Sequence, residues 1–233
     1  MPWKLICAWL VHLYTGLGVV VGFLSLLQIE QRDFRSVFFL MAVAIVLDAT
    51  DGTLARAARV KELIPWFDGD TLDGIVDYFN YVIVPVLLLF RADLLPPDDA
   101  LWLAMFPLLA SAYGFSQKNA KTADNFFLGF PSYWNIVVFY LYVLGTPHWL
   151  NAFLLIALAG LVFVPMKYVY PSRSPYFRVE TNALGALWAV CVLYLVYRLP
   201  DAPRGLVIAS LIFPAYYAAL SLWLEFRRLR GTS

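Results

Sequence analysis

The chain is expected to fold as an all-α integral membrane protein, a single polytopic domain over residues 1–233 with about eight spanning helices. Three observations lead there. Apolar residues make up 62% of the 233 and charged residues only 14%, which is too little polar surface for a water-soluble body. Apolar runs long enough to cross hydrocarbon recur near 6–28, 36–57, 69–91, 101–117, 132–146, 148–168, 183–199 and 204–226. No stretch between them has the length or composition of a soluble domain or a low-complexity linker. Helix is the form such runs must take, because hydrocarbon offers nothing to an unpaired backbone N–H or C=O.

The first run, Ile6 to Leu27, is too long for a signal-peptide core and no A-x-A site follows it, so it reads as a first span. Gly16, Gly18 and Gly22 on it are expected to be contact points for neighbouring helices. The fifth and sixth runs are divided only by the turn Gly145, Thr146, Pro147. Orientation follows from the basic residues. One side holds Lys4, Arg56, Arg59, Lys61, Lys118, Lys121, Lys167, Arg173, Arg178, Arg227, Arg228 and Arg230, twelve in all. The other holds five: Arg32, Arg35, Arg91, Arg198 and Arg204. The richer side is expected to be cytoplasmic, with both termini and the connection between the second and third spans.

Composition also sets aside some functions. A net charge of +1 leaves no basic surface for a nucleic-acid backbone. Cys7 and Cys191, and likewise His12 and His148, stand singly on apolar segments, with no metal-ligand spacing among them. They read as packing residues.

The polar content that matters lies in DATDGTLARAARVKELIPWFDGDTLDGIVD, from Asp48 to Asp77. An Asp at the centre of a spanning helix costs at least ~2.5–3.5 kcal/mol, so four of them in thirty residues require partners. Asp48 and Asp51 are spaced i, i+3, and Asp73 and Asp77 i, i+4, which puts each pair on one helical face. Two such helices side by side would offer an all-oxygen cage suited to a hard divalent cation. Gly52 and Gly69 would let phosphates approach the backbone, and Arg56 offers a guanidinium to grip them. On residue chemistry alone three readings stay open: a catalytic metal site, an ion-transport site, or structural ion pairs with Arg56 and Arg59. Pairing leaves a carboxylate excess. Transport sites usually lie near the midplane, whereas this cluster is close to one surface.

The pattern D-x-x-D-G-x-x-A-R followed by G-x-x-x-D-x-x-x-D, here Asp48, Asp51, Gly52, Ala55, Arg56, Gly69, Asp73 and Asp77, resembles the signature of the CDP-alcohol phosphotransferases. Twelve residues, Ala57 to Asp68, separate Arg56 from Gly69, more than most members have. That longer connection, with the runs AYGFSQKNAKTADNFFLGFPSYWN and VYPSR, is similar to the bacterial branch whose acceptor is choline. The resemblance implies a multi-pass protein of the bacterial inner membrane whose active site faces the cytoplasm. Its substrates would be CDP-diacylglycerol and choline, and one or two Mn²⁺ or Mg²⁺ ions would sit on Asp48, Asp51, Asp73 and Asp77. Gly52, Ala55, Arg56 and Gly69 would cradle the nucleotide, and Asp77 would act as base. It also implies a possible homodimer. Serine, glycerol phosphate or inositol as acceptor keeps the chemistry and changes the alcohol, but the third span offers no extra cation for an anionic acceptor.

Choline's trimethylammonium has no N–H, so charge and aromatic faces must recognise it. Tyr81 and Asn80 beyond Asp77, Tyr113 at the end of the fourth span, and Tyr133 and Trp134 opening the fifth are the candidates. Lys118, Asn119, Lys121, Asp124, Arg173, Arg178 and Glu180, in loops on the same side, are either solvated charges or phosphate contacts.

Overall fold

The computed structural model describes residues 2–231 apart from positions 121, 123, 125 and 171–175, so Lys121 and Arg173 lie outside the described residues. Helices come in the order α1 (Pro2–Glu30), α2 (Phe34–Ala57), α3 (Val60–Leu63), α4 (Gly69–Tyr78), α5 (Val84–Arg91), α6 (Ala100–Ser116), α7 (Trp134–Leu144), α8 (His148–Val162), α9 (Arg178–Tyr197), α10 (Arg204–Ser210) and α11 (Ile212–Gly231). Two three-residue strands, β1 (Phe126–Leu128) and β2 (Lys167–Val169), add a small antiparallel ribbon to an otherwise helical chain. The protein is a multi-pass membrane protein by its helices. Among the described residues, five helical stretches are long and apolar enough to cross a bilayer: Trp3–Glu30, Phe34–Ala57, Gly69–Arg91, Arg178–Tyr197 and Arg204–Gly231. Shorter apolar helices, Ala100–Ser116, Trp134–Leu144 and His148–Val162, occupy the places expected of the fourth, fifth and sixth spans.

The local chemistry explains most boundaries. Asp33 caps α2, its carboxylate accepting from the Ser36 amide at 3.1 Å and hydroxyl at 2.6 Å. Those bonds hold the Asp33 carboxyl below the usual carboxylate range. Asp68 repeats the device at α4 with Thr71, so the helix bearing Asp73 and Asp77 starts from a fixed point. Gly145, in the left-handed region at φ 60, ends α7, and Pro147 leads into α8. The last apolar run is broken at Leu211, where Pro214 has no N–H for the Ser210 carbonyl and its ring crowds that carbonyl.

Packing places the short helices inside. On α7, Trp134, Val138, Phe139 and Leu141 are all buried, joined by Leu88 and Leu89 of α5, Leu155 of α8 and Leu195 of α9. An 11-residue helix in that position is surrounded by protein on most sides, so it need not match the bilayer's thickness. Outward faces carry the exposed apolar side chains, among them Leu13, Trp102, Leu109, Phe153 and Leu187. In lipid these are solvated, not stranded.

The twelve-residue connection after Arg56 is not a loose loop. Its one-turn helix α3 buries Val60, and with Ile64 this docks on Ala8 of α1. α1 in turn lies along α2 and against α4. Gly18 and Gly22 make the approach to α4 and the turn after it possible. A Cβ at Gly18 would sit 2.4 Å from Val76 Cγ1, and one at Gly22 would sit 2.5 Å from Phe79 Cδ1 and 2.9 Å from Asn80 Oδ1. Asn80 locks the contact by donating from Nδ2 to the Gly18 carbonyl at 2.9 Å. Gly16, expected to behave likewise, faces open space. Gly22→Ala is therefore expected to destabilise the bundle by about 1–3 kcal/mol through overpacking, while Gly16→Ala leaves it unchanged or slightly more stable. Thermal unfolding in detergent measures both, and equal transition temperatures for the two would refute the packing assignment.

Candidate metal centre

Third in the order of long helices, Gly69–Arg91 is not a continuous α-helix. Residues Phe79–Ile83 form a π-turn that begins two residues after Asp77. Such a turn widens the backbone by one residue and is often found at functional sites. Here it carries Asn80 and Tyr81.

Between α1, α2 and α4 lies a narrow cavity lined by Asp48, Asp51, Asp73, Asp77, Thr15 and Tyr81. Asp48, Asp73 and Asp77 each bring a carboxylate oxygen within 4.8 Å of the others, and all three are half-buried. Three anionic oxygens at that separation repel one another strongly unless a cation intervenes, and hard oxygen donors are the set that Mg²⁺ and Mn²⁺ prefer. The acidic group is thus able to hold a metal ion. The fourth carboxylate is set slightly apart. Asp51 is buried on the cavity wall and its Oδ2 accepts from Thr15 Oγ1 at 2.9 Å. The expected four-carboxylate cage is therefore a trio with Asp51 beside it. Thr15, on the first helix, is a neighbour that no motif pointed to.

Arg56 lies exposed at the end of α2, donating from Nη2 to Thr53 Oγ1 at 2.9 Å. Its guanidinium passes over Gly52, 3.4 Å from where a Cβ would stand. Gly69 meets the His12 ring, whose Cε1 would be 2.9 Å from an added Cβ, so this signature glycine is needed for close packing of α1 on α4. Ala55 packs with the small α1–α3 cluster. The structural-pair alternative loses one of its two cations, since Arg59 lies 4.0 Å from Glu62; nearby Lys61 is likewise paired away, with Asp70 at 2.7 Å.

The five acceptor candidates divide. Tyr81 is at the trio, donating its hydroxyl to Asp48 Oδ2 at 2.7 Å. Tyr133 is half-buried in the field of Asp48 and Asp77. Asn80 lines the cavity, but its amide nitrogen is spent on the Gly18 and Val76 carbonyls. Trp134 is fully buried, its Nε1 donating to Ser111 Oγ at 2.8 Å, so no ring face is left for a ligand. Tyr113 is exposed and stacks on Phe163. Adjacent residues Tyr133 and Trp134 end in different places because one caps α7 and the other begins it, about 100° round.

The loops on this side fold together. β1 pairs with β2, and β2 is pinned to α11, with Val169 N–H donating to Ser221 Oγ and Tyr217 donating to the Val169 carbonyl at 3.0 Å. Gly129, at φ +81, passes so close to the Val162 carbonyl that a Cβ would lie 2.3 Å from it. Lys167 pairs with Asp124 and holds that carboxyl below its ordinary range. Lys118, Asn119, Arg178 and Glu180 are exposed.

No family model matches the chain. Curated relatives do. It is 40% identical over 223 residues to a phosphatidylcholine synthase of Legionella pneumophila, covering 93% of this chain and 88% of the relative. A phosphatidylcholine synthase of Pseudomonas aeruginosa is 35% identical over 227 residues, covering 96% and 94%. One from Borreliella burgdorferi is 34% identical over 220 residues, covering 94% and 93%. Likeness of this extent along nearly the whole length of both partners, joined to a signature whose aspartates converge in space, means that the chain belongs to the phosphatidylcholine synthase family of CDP-alcohol phosphatidyltransferases.

Proposed function

We propose that the protein makes phosphatidylcholine by transferring the phosphatidyl group of CDP-diacylglycerol to choline, releasing CMP, at the cavity between α1, α2 and α4. The observation that carries this reading is the convergence of Asp48, Asp73 and Asp77 within 4.8 Å of one another. One or two Mn²⁺ or Mg²⁺ ions on these residues, with Asp51 at the wall, would neutralise the pyrophosphate and stabilise the departing CMP. The chain's own residues do the rest. Gly52 lets the backbone approach the nucleotide, Ala55 and Gly69 keep the helices close, and Arg56 reaches the phosphates from the end of α2. Tyr81 holds Asp48 in place. Asp77 takes the hydroxyl proton as the choline oxygen forms its bond to the phosphorus bearing diacylglycerol and the pyrophosphate P–O bond breaks. A carboxylate is a weak base for an alcohol, so positioning and charge neutralisation supply most of the rate and proton transfer about 10²–10⁴-fold.

In this reading the protein sits in a bacterial inner membrane with about eight spans and both termini in the cytoplasm. The twelve-to-five division of basic residues supports that orientation. A cysteine in place of Lys61 is expected to react with an impermeant label only from the cytoplasmic side. Labelling from outside would turn the active site away from its soluble substrates. A homodimer is carried as part of the same proposal, by family resemblance.

The test is CMP release from CDP-diacylglycerol by the purified protein in detergent with Mn²⁺ or Mg²⁺, supplying choline, serine, glycerol phosphate and inositol in turn. Release is expected with choline. Release with another alcohol and not with choline would keep the chemistry and overturn the acceptor.

A further inference from the structure

Tyr217, on the last helix, belongs to no motif and lies 140 residues from Asp77 in the chain. Its ring nevertheless meets that of Tyr133 edge to face, with centroids 6.0 Å apart and planes inclined at 63°. Tyr133 stands in the field of both Asp48 and Asp77, and of Tyr81. A phenol from the π-turn, one from the cap of α7 and one from α11 are thus gathered near the carboxylates. The outer side of Tyr133 is closed by Phe127, at a centroid distance of 6.4 Å.

The hydroxyls in this group are engaged with the protein, that of Tyr133 with Tyr217. Tyr81 donates to Asp48, and Tyr217 donates to the Val169 carbonyl of β2 at 3.0 Å. What the group has left to offer a ligand is chiefly aromatic ring surface, since Asp48 and Asp77 are assigned to the metal. Ring faces suit a cation with no N–H to donate, because a quaternary ammonium makes no hydrogen bonds and is held by its charge against aromatic faces. A primary ammonium would instead look for lone pairs. We propose that Tyr217 completes, with Tyr81 and Tyr133, the aromatic wall that selects a quaternary ammonium as the head of the acceptor. Tyr217 is then a specificity residue contributed by the C-terminal helix and held at its post by the β1–β2 ribbon. The proposal rests on the choline-accepting reading above.

Tetramethylammonium separates head-group recognition from chemistry, since it has the cation and no hydroxyl to react. With the full-length protein, it is expected to compete with choline. Tyr217→Leu is expected to raise the choline KM and the tetramethylammonium Ki together by about 3- to 30-fold, and to leave the CDP-diacylglycerol KM within about twofold. Tyr217→Phe keeps the ring and loses only the hydroxyl's hydrogen bonding, to the Val169 carbonyl and to its neighbours Tyr133 and Ser221, so both constants are expected to stay near parental. Unchanged constants in Tyr217→Leu would overturn the proposal. So would equal effects of Leu and Phe, or a CDP-diacylglycerol KM that moves in step. If Tyr217→Leu fails to fold, a raised tetramethylammonium Ki in a folded Tyr217→Phe overturns it as well. A parent that releases no CMP with choline refutes the function itself, whereas a choline-active parent with an indifferent Tyr217→Leu refutes only the wall.

Discussion

Asp73→Ala is expected to abolish CMP release while leaving a membrane-inserted, folded protein, and Asp48→Ala should do the same. Each removes one of three carboxylates whose oxygens lie within 4.8 Å of one another. A site short of one anionic oxygen loses both affinity for a divalent ion and the charge neutralisation that the pyrophosphate needs. Loss of a single preorganised electrostatic contact typically costs about 10²–10³-fold, and a metal ligand belongs at or beyond the upper end. Mn²⁺ binding followed by electron paramagnetic resonance gives a second readout that does not depend on turnover. The bound signal should disappear with the activity. Near-normal turnover of either variant in saturating Mn²⁺ would remove that residue from the metal centre. Asp51→Ala is the informative companion, because its carboxylate is held by Thr15 on the cavity wall and stands outside the trio. Loss of activity is expected there too, in keeping with a fourth carboxylate facing the same cavity.

Asp77→Asn is expected to separate binding from chemistry. The amide keeps the size of the side chain and one oxygen donor but cannot accept the acceptor's proton. Turnover should fall by about 10²–10⁴-fold, the usual worth of general-base catalysis, while CDP-diacylglycerol still binds within a few-fold of the parent. Equilibrium binding of the nucleotide lipid beside single-turnover CMP release distinguishes the two steps. If binding is lost together with turnover, Asp77 is a metal ligand first and the proton leaves by another route.

How much of this was readable in advance follows from the range over which each signal acts. Helical spacing is a local quantity, so i, i+3 and i, i+4 pairs on consecutive helices point to a carboxylate cluster from sequence alone. That Asp51 would turn to Thr15 depended on how closely α1 lies against α2, just as the seating of α1 on the third long helix depends on Gly18 and Gly22. The aromatic candidates show the same limit more sharply. Tyr133 and Trp134 are neighbours in sequence, yet one stands within the electrostatic reach of the carboxylates and the other is sealed in the core against Ser111. Only the rotation of α7, set by everything packed around it, separates them.

The sequence by itself determined the class of the protein, the place of its long helices and the residues of the signature. Hydropathy and helical period are properties of a segment and its solvent, and they need no partner to be read. The π-turn beneath Asp77, the docking of the twelve-residue connection as α3, the pinning of the β1–β2 ribbon and the arrival of Tyr217 were decided by tertiary structure alone. Each depends on which face of one helix meets which face of another across many intervening residues, and side-chain packing, which sets those rotations, leaves no periodic trace in the chain.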